Sequence, residues 1–175
     1  MRKIIISFLV ILTLICSCSN KNEKAADWVH QADKLWDGQK YTNSEKAIEC
    51  LGRAIELLQT NAELYNKRGN AYYTIGQYDL AVDDFSRAVN MAPKYADAYN
   101  NRAAAYIRLG EYQRAVENYN EAIRLNPHHA VFFNNRGVVY LLQHQKESGC
   151  RDVQKACALG DCVTMAEAKI KAYCF

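Results

Sequence analysis

Short motifs recur in this chain at a fixed interval of 34 residues, and no other feature of the sequence restricts the fold as much. Tyr65-Asn66-Lys67-Arg68-Gly69 returns as Tyr99-Asn100-Asn101-Arg102-Ala103 and again as Phe133-Asn134-Asn135-Arg136-Gly137. Tyr72, Tyr106 and Tyr140 keep the interval, as do Ala81, Ala115 and Gly149, then Phe85, Tyr119 and Val153, then Ala88, Ala122 and Ala156. Pro93 and Pro127 close two copies, and Asp161 stands where a third proline would fall. Gly69, Ala103 and Gly137 are small enough for two helices to approach closely, with the aromatic residues filling the space alongside. Gly76 and Gly110 are placed to end the first helix of their copies, and the prolines to end the second. A helix pair cannot bury its apolar face alone, so neighbouring copies must stack. Only 8 Gly and 2 Pro in 175 residues agree with a helical chain.

The order aromatic, small residue, tyrosine, alanine, aromatic, proline resembles the tetratricopeptide repeat, with Arg in place of the more usual Leu before the small residue. The resemblance implies an all-α, right-handed solenoid of antiparallel helix pairs with a concave and a convex side. Three repeats run over 62–95, 96–129 and 130–161. A degenerate copy over 25–61 precedes them. Its first helix carries Trp28, Ala32 and Leu35, and its second Ala47, Leu51 and Ala54. About three extra residues lie between the two, within 38–44. Thr42 followed by Glu45 reads as a capping box opening the second helix. A last helix, 162–175, caps the array.

In proteins this chain resembles, the first helix of each repeat lines the concave groove. Carried over by register, Trp36, Asn66, Asn70, Tyr73, Asn100, Ile107, Asn134 and Leu141 fall inside it, with Val29, Asp33, Asp37, Glu63, Asp97, Arg108, Val131 and Val138. Asn66, Asn100 and Asn134 form a ladder with Asn101 and Asn135 beside it. Asparagine donates to a peptide carbonyl and accepts from a peptide N–H, so the row suits an extended segment; it equally suits bonds within or between repeats. Trp36, Tyr73, Ile107 and Leu141 offer one apolar anchor per repeat, grading from aromatic and acidic to aliphatic and neutral. Asp33, Asp37, Glu63 and Asp97 favour a basic partner at that end. The Lys, Asn and Arg set with which chaperone-binding relatives clamp a terminal carboxylate is absent. Asn66, Asn70, Asn101, Val131 and Asn135 stand there instead. Arg68, Arg102 and Arg136 also repeat; they are expected to pair with Asp83, Asp84, Glu117 or Asp152 on the facing helix, an anionic ligand being the other use.

The beginning of the chain reads as an address. Met1-Arg2-Lys3 is basic, and 4–15 is an apolar run too short to span a bilayer comfortably, as in a secretory signal. Ile15-Cys16-Ser17-Cys18 resembles the lipobox of bacterial lipoproteins, with Cys18 the modified residue, 1–17 removed and 18–24 a linker. An uncleaved anchor or ordinary signal is the alternative. Several acyl chains on Cys18 would give stable membrane anchoring. Ser19, rather than Asp, follows the pattern of outer-membrane sorting in enteric-type bacteria, facing the periplasm; in lineages with other rules the inner membrane is the destination. Without Arg2 and Lys3, twenty of the 22 basic groups remain against 19 acidic ones. That near-neutral balance excludes nucleic acid as a partner class.

Seven cysteines suit an oxidising compartment. Cys150 and Cys157 lie on one helix face about 10 Å apart, too far to bond to each other. They replace apolar residues expected to face the next element, the terminal helix carrying Cys162 and Cys174. With an antiparallel turn at Leu159-Gly160-Asp161, the expected pairs are Cys157–Cys162 and Cys150–Cys174. Zinc coordination is the rival. Cys50 is left over, as a buried thiol. No C-x-x-C, haem-attachment, G-x-S-x-G or phosphate-loop motif occurs, and His30, His128, His129 and His144 form no ligand pattern. No catalytic residue, cofactor or metal site is expected. The reading is a non-catalytic, lipid-anchored adaptor that binds a protein or peptide, in envelope, pilus or secretion-complex assembly. A self-associating structural lipoprotein comes second, and an enzyme or thiol protein third.

Overall fold

A computed structural model describes residues 20–162 and residue 174. The expected signal segment, Cys18 and the helix expected between Cys162 and Cys174 lie outside the described residues. Eight helices make up the rest: α1 (20–33), α2 (Ser44–Leu57), α3 (Ala62–Thr74), α4 (Tyr78–Met91), α5 (Ala96–Arg108), α6 (Tyr112–Leu125), α7 (Ala130–Leu142) and α8 (Lys146–Ala158). None among the described residues is long and apolar enough to cross a membrane. From α2 to α8 each helix packs on the next through a short turn, in the all-α arrangement of antiparallel pairs that the period requires.

The turns follow from local chemistry. Gly76 and Gly110 both take φ +78 directly after the first helices of their repeats, a conformation open to glycine. The third such position is His144, which is forced to φ 60. Pro93 and Pro127 follow the ends of α4 and α6, one residue beyond the capping positions.

Two expectations at the first repeat need correction. The cap of α2 is Asn43, whose side chain accepts from the Lys46 N–H at 2.9 Å. Thr42 is drawn off instead, donating its hydroxyl to the Leu35 carbonyl at 3.0 Å. Residues 20–24, assigned to a linker, are the first turns of α1. Helix-favouring Lys21, Glu23 and Lys24 lead there into Ala25, which is fully buried.

Packing explains the repeated residues. Phe85, Tyr119 and Val153 are buried at equivalent sites, as are Ala81 and Ala115, and Ala88, Ala122 and Ala156. A Cβ on Gly69 would come within 2.6 Å of the Phe85 ring, and one on Gly137 within 3.0 Å of the Gly149 carbonyl. Burial of each such large side chain is worth about 2–3 kcal/mol, and the small partner is what lets it close. Successive first helices touch, α3 with α5 and α5 with α7, and side-chain bonds between asparagines cross both contacts. The first helices are therefore the inner row.

Beyond α8, Gly160 at φ +102 reverses the chain. Cys157 is bonded to Cys162 and Cys150 to Cys174, with Cα separations of 4.1 and 5.4 Å. Cys162 is exposed and not helical. Cys50 is a free, fully buried thiol.

Candidate functional site

The inner row carries most of the residues singled out above, in altered roles. Its asparagines are engaged with one another. Asn135 Nδ2 donates to Asn100 Oδ1 at 3.0 Å, Asn100 Nδ2 to Asn101 Oδ1 at 3.1 Å, and Asn101 Nδ2 to Asn66 Oδ1 at 3.1 Å. Asn66, only 6% exposed, ends the chain on the Tyr95 hydroxyl at 3.1 Å. This unidirectional relay links three repeats. Asn134 stands apart from it: its Nδ2 points to Asp161 Oδ2 at 3.4 Å, and its Oδ1 is buried with no partner. Of the two uses of an asparagine row, bonding between repeats accounts for Asn66, Asn100, Asn101 and Asn135.

The expected apolar anchors are also partly spent. Tyr73 packs towards buried Ala81, Phe85 and Ala105, and Ile107 towards Ala103, Ala115 and Tyr119. Leu141 lies where a Cβ on Gly149 would meet it at 2.6 Å. These three fill the space above the small residues of their own second helices. What remains open along the rim is Glu63, then Asp97, then Val131, the last 42% exposed. The change from acidic to aliphatic along the array holds at these positions. Asn70 and Val138 are half-buried, and Arg108 is exposed beside Tyr78, 5.0 Å from its ring centroid.

Trp36 is not on a helix. It follows the end of α1 and forms a backbone bridge with Tyr41, the two rings edge to face at 5.0 Å. The extra residues of the first repeat thus fold into a tight loop that closes the N-terminal end of the inner row. There Asp33, Trp36, Tyr41, Glu63, Asn66, Lys67, Asn70 and Tyr95 line a hollow of about 390 Å³. Lys67 Nζ lies 2.7 Å from Asp33 and 3.4 Å from Glu63. Burial pushes the Tyr41 phenol up, and the Asp33 and Glu63 charges push it further. Tyr95 is raised by burial first, then by Glu63 and Asp97. Tyr41, Lys67 and Tyr95 were not legible as site residues. Tyr95 had one signal: it sits 34 residues before His129, just ahead of a first helix.

Two of the three repeating arginines pair as expected. Arg68 grips Asp84 through Nε and Nη2 at 2.7 and 2.8 Å, and Arg136 grips Asp152 at the same distances. Arg102 meets no acid, because Asn118 occupies the equivalent position; its Nε donates there at 2.7 Å and its Nη1 to Ser86 at 3.1 Å. The contrast shows in their protonation. The bonded carboxylate raises the pKa of Arg68 and Arg136, whereas burial lowers that of Arg102. Asp83 and Glu117 take no part in these pairs. Among the described residues, no three His, Cys, Asp or Glu side chains are grouped to hold a metal ion.

The tetratricopeptide repeat family model matches residues 96–129, and a second, described as TPR repeat, matches 43–76 and 69–110. The chain is a tetratricopeptide-repeat protein. Among solved structures, the crystal structure of MamA is similar at 28% identity, covering 66% of this chain and 68% of that one, with a TM-score of 0.64. The first TPR of Spaghetti (RPAP3), bound to the HSP90 peptide SRMEEVD, is similar at 25% identity, covering 64% of this chain and 89% of that one, TM-score 0.61. MamA 41-end from Desulfovibrio magneticus RS-1, at 22% identity and TM-score 0.70 over 78% and 76% of the two chains, shares the fold. No curated protein matches by sequence.

Proposed function

We propose that this tetratricopeptide protein is a non-catalytic adaptor, lipid-anchored through Cys18 on the periplasmic side of a bacterial envelope membrane. Its inner face holds a segment of another protein. The observation that carries the binding half is the continuous row of touching first helices, with a rim running from Glu63 through Asp97 to Val131. A related repeat unit holding a peptide supports the same use of the fold. The anchoring half rests on the Ile15-Cys16-Ser17-Cys18 motif.

Two measurements test the halves separately. Cys18→Ala should leave an uncleaved precursor that takes up no labelled palmitate; a mature, labelled product would remove Cys18 as the anchor. A photo-crosslinking amino acid placed at Glu63 or Val131 should capture a partner in intact envelopes, while one at exposed Asn90 or Arg124 on the second helices should not. Capture from the second helices alone would favour self-association or an outer-face partner.

A further inference from the structure

We propose that the hollow at the N-terminal end of the inner face receives one cationic side chain, arginine or lysine, from an extended segment of the partner. This deepens the groove reading and rests on it. The hollow is built rather than incidental. Asp37 Oδ1 accepts from the Gln39 and Lys40 N–H groups at 2.9 and 2.8 Å, Gly38 turns the chain at φ +101, and Thr42 ties back to the Leu35 carbonyl through its N–H and its hydroxyl. The result is a fixed aromatic wall: Trp36 stands 39% exposed, braced by buried Tyr41. An exposed indole held in place offers its face to a cation and its edge to the aliphatic stem behind it.

The charges opposite that wall set the sign of the occupant. Lys67 is committed to Asp33 at 2.7 Å, and its contact with Glu63 is the longer one. Glu63, with 62% of its side chain exposed, borders this hollow and the two adjoining it, of about 690 and 280 Å³. Asp97 does not line the hollow, but its charge acts on Tyr95, which does. Among the lining residues, Asp33 and Glu63 outnumber Lys67. Burial is the first cause of the raised Tyr41 and Tyr95 phenols, and the charges of Asp33, Glu63 and Asp97 only add to it. A second cation can share Glu63 without displacing Lys67, whereas an acidic segment such as SRMEEVD would meet like charge here.

The test is selection of a random twelve-residue peptide library, displayed on phage, against the purified chain, followed by amide and indole chemical-shift mapping with the selected peptides. The expected peptides carry Arg or Lys. They move the Trp36 indole and the Asn66 and Asn70 side-chain amides, and they lose at least tenfold in affinity when the basic residue becomes citrulline or norleucine. Trp36→Ala and Glu63→Gln, both at exposed positions, should weaken binding to a similar degree. Peptides that move inner-face resonances yet tolerate the neutral swap would overturn this inference and leave the groove reading standing. Peptides that move only second-helix resonances, or an unproductive selection, would overturn both.

Discussion

The three repeating arginines permit a stability prediction in which the molecule supplies its own control. Arg68→Leu restores the residue more usual at this register, yet it should be strongly destabilising. It strands Asp84, whose side chain is 5% exposed and gives both oxygens to Arg68. Removing one partner of a buried pair costs about 3–5 kcal/mol, because the remaining charge has lost its compensation. Arg68 itself keeps 20% of its side chain exposed, so water reaches the site and the lower figure applies. A loss of about 3 kcal/mol corresponds to a fall in Tm of roughly 6–12 °C for a chain of this size. Arg102→Leu removes the same cation from the equivalent position, but it strands only neutral groups. Asn118 keeps its bond from Nδ2 to the Arg114 carbonyl at 2.8 Å, and Ser86 can turn to water. Its cost should be about 1.5 kcal/mol, the lower end for a hydrogen bond made by a charged group, since Asn118 Oδ1 loses its donor but no charge is stranded. Thermal melts followed by circular dichroism compare the two directly, with Arg68→Leu/Asp84→Leu as the third variant, expected to recover most of the loss. Equal destabilisation by both single changes would refute the reasoning. The cost would then lie in lost packing on the neighbouring rings, Tyr65 and Tyr72 for Arg68 and Tyr99 for Arg102, rather than in the ion pair.

Three further outcomes follow from the same geometry. His144→Gly should stabilise the fold by about 0.5–1 kcal/mol, since it releases a left-handed residue where two sister repeats already use glycine; a lowered Tm would contradict this. Cys174→Ser should cost roughly 3 kcal/mol and Cys162→Ser about 2, because the outer bond closes 24 residues and the inner only 5; urea titrations of the two variants under non-reducing conditions give the order, and a reversed order would count against the loop-closure account. Asn101→Ala should cost about 1–2 kcal/mol by leaving Asn66 Oδ1 and Asn100 Nδ2 unpaired, with faster amide exchange where α3 meets α5; unchanged exchange would mean that water replaces the relay.

The fold was legible because a 34-residue period leaves little choice once small and aromatic residues alternate on it. Gly69 against Phe85 and Gly76 at φ +78 carry their reasons in their own covalent structure. The cysteine pairing was legible for a similar reason, since spacing along a helix and one tight turn fix which thiols come close. The site was legible only in part, and the failures share a cause. Register says that Asn66, Asn100 and Asn134 face the same way, but an asparagine oxygen accepts from whichever donor lies within reach. Here the donors that reach the Asn66 and Asn100 oxygens are the neighbouring repeats' own asparagines, one position further along, Asn101 and Asn135. Likewise, register put Trp36 on a helical face that ends three residues before it. The extra residues that broke the register instead form a loop in which Trp36 and Tyr41 meet edge to face. A perfect repeat can present only a repeated surface. The inner row departs from such a surface in two ways, through in-register changes such as Glu63, Asp97 and Val131 and through the inserted loop that carries Trp36 and Tyr41.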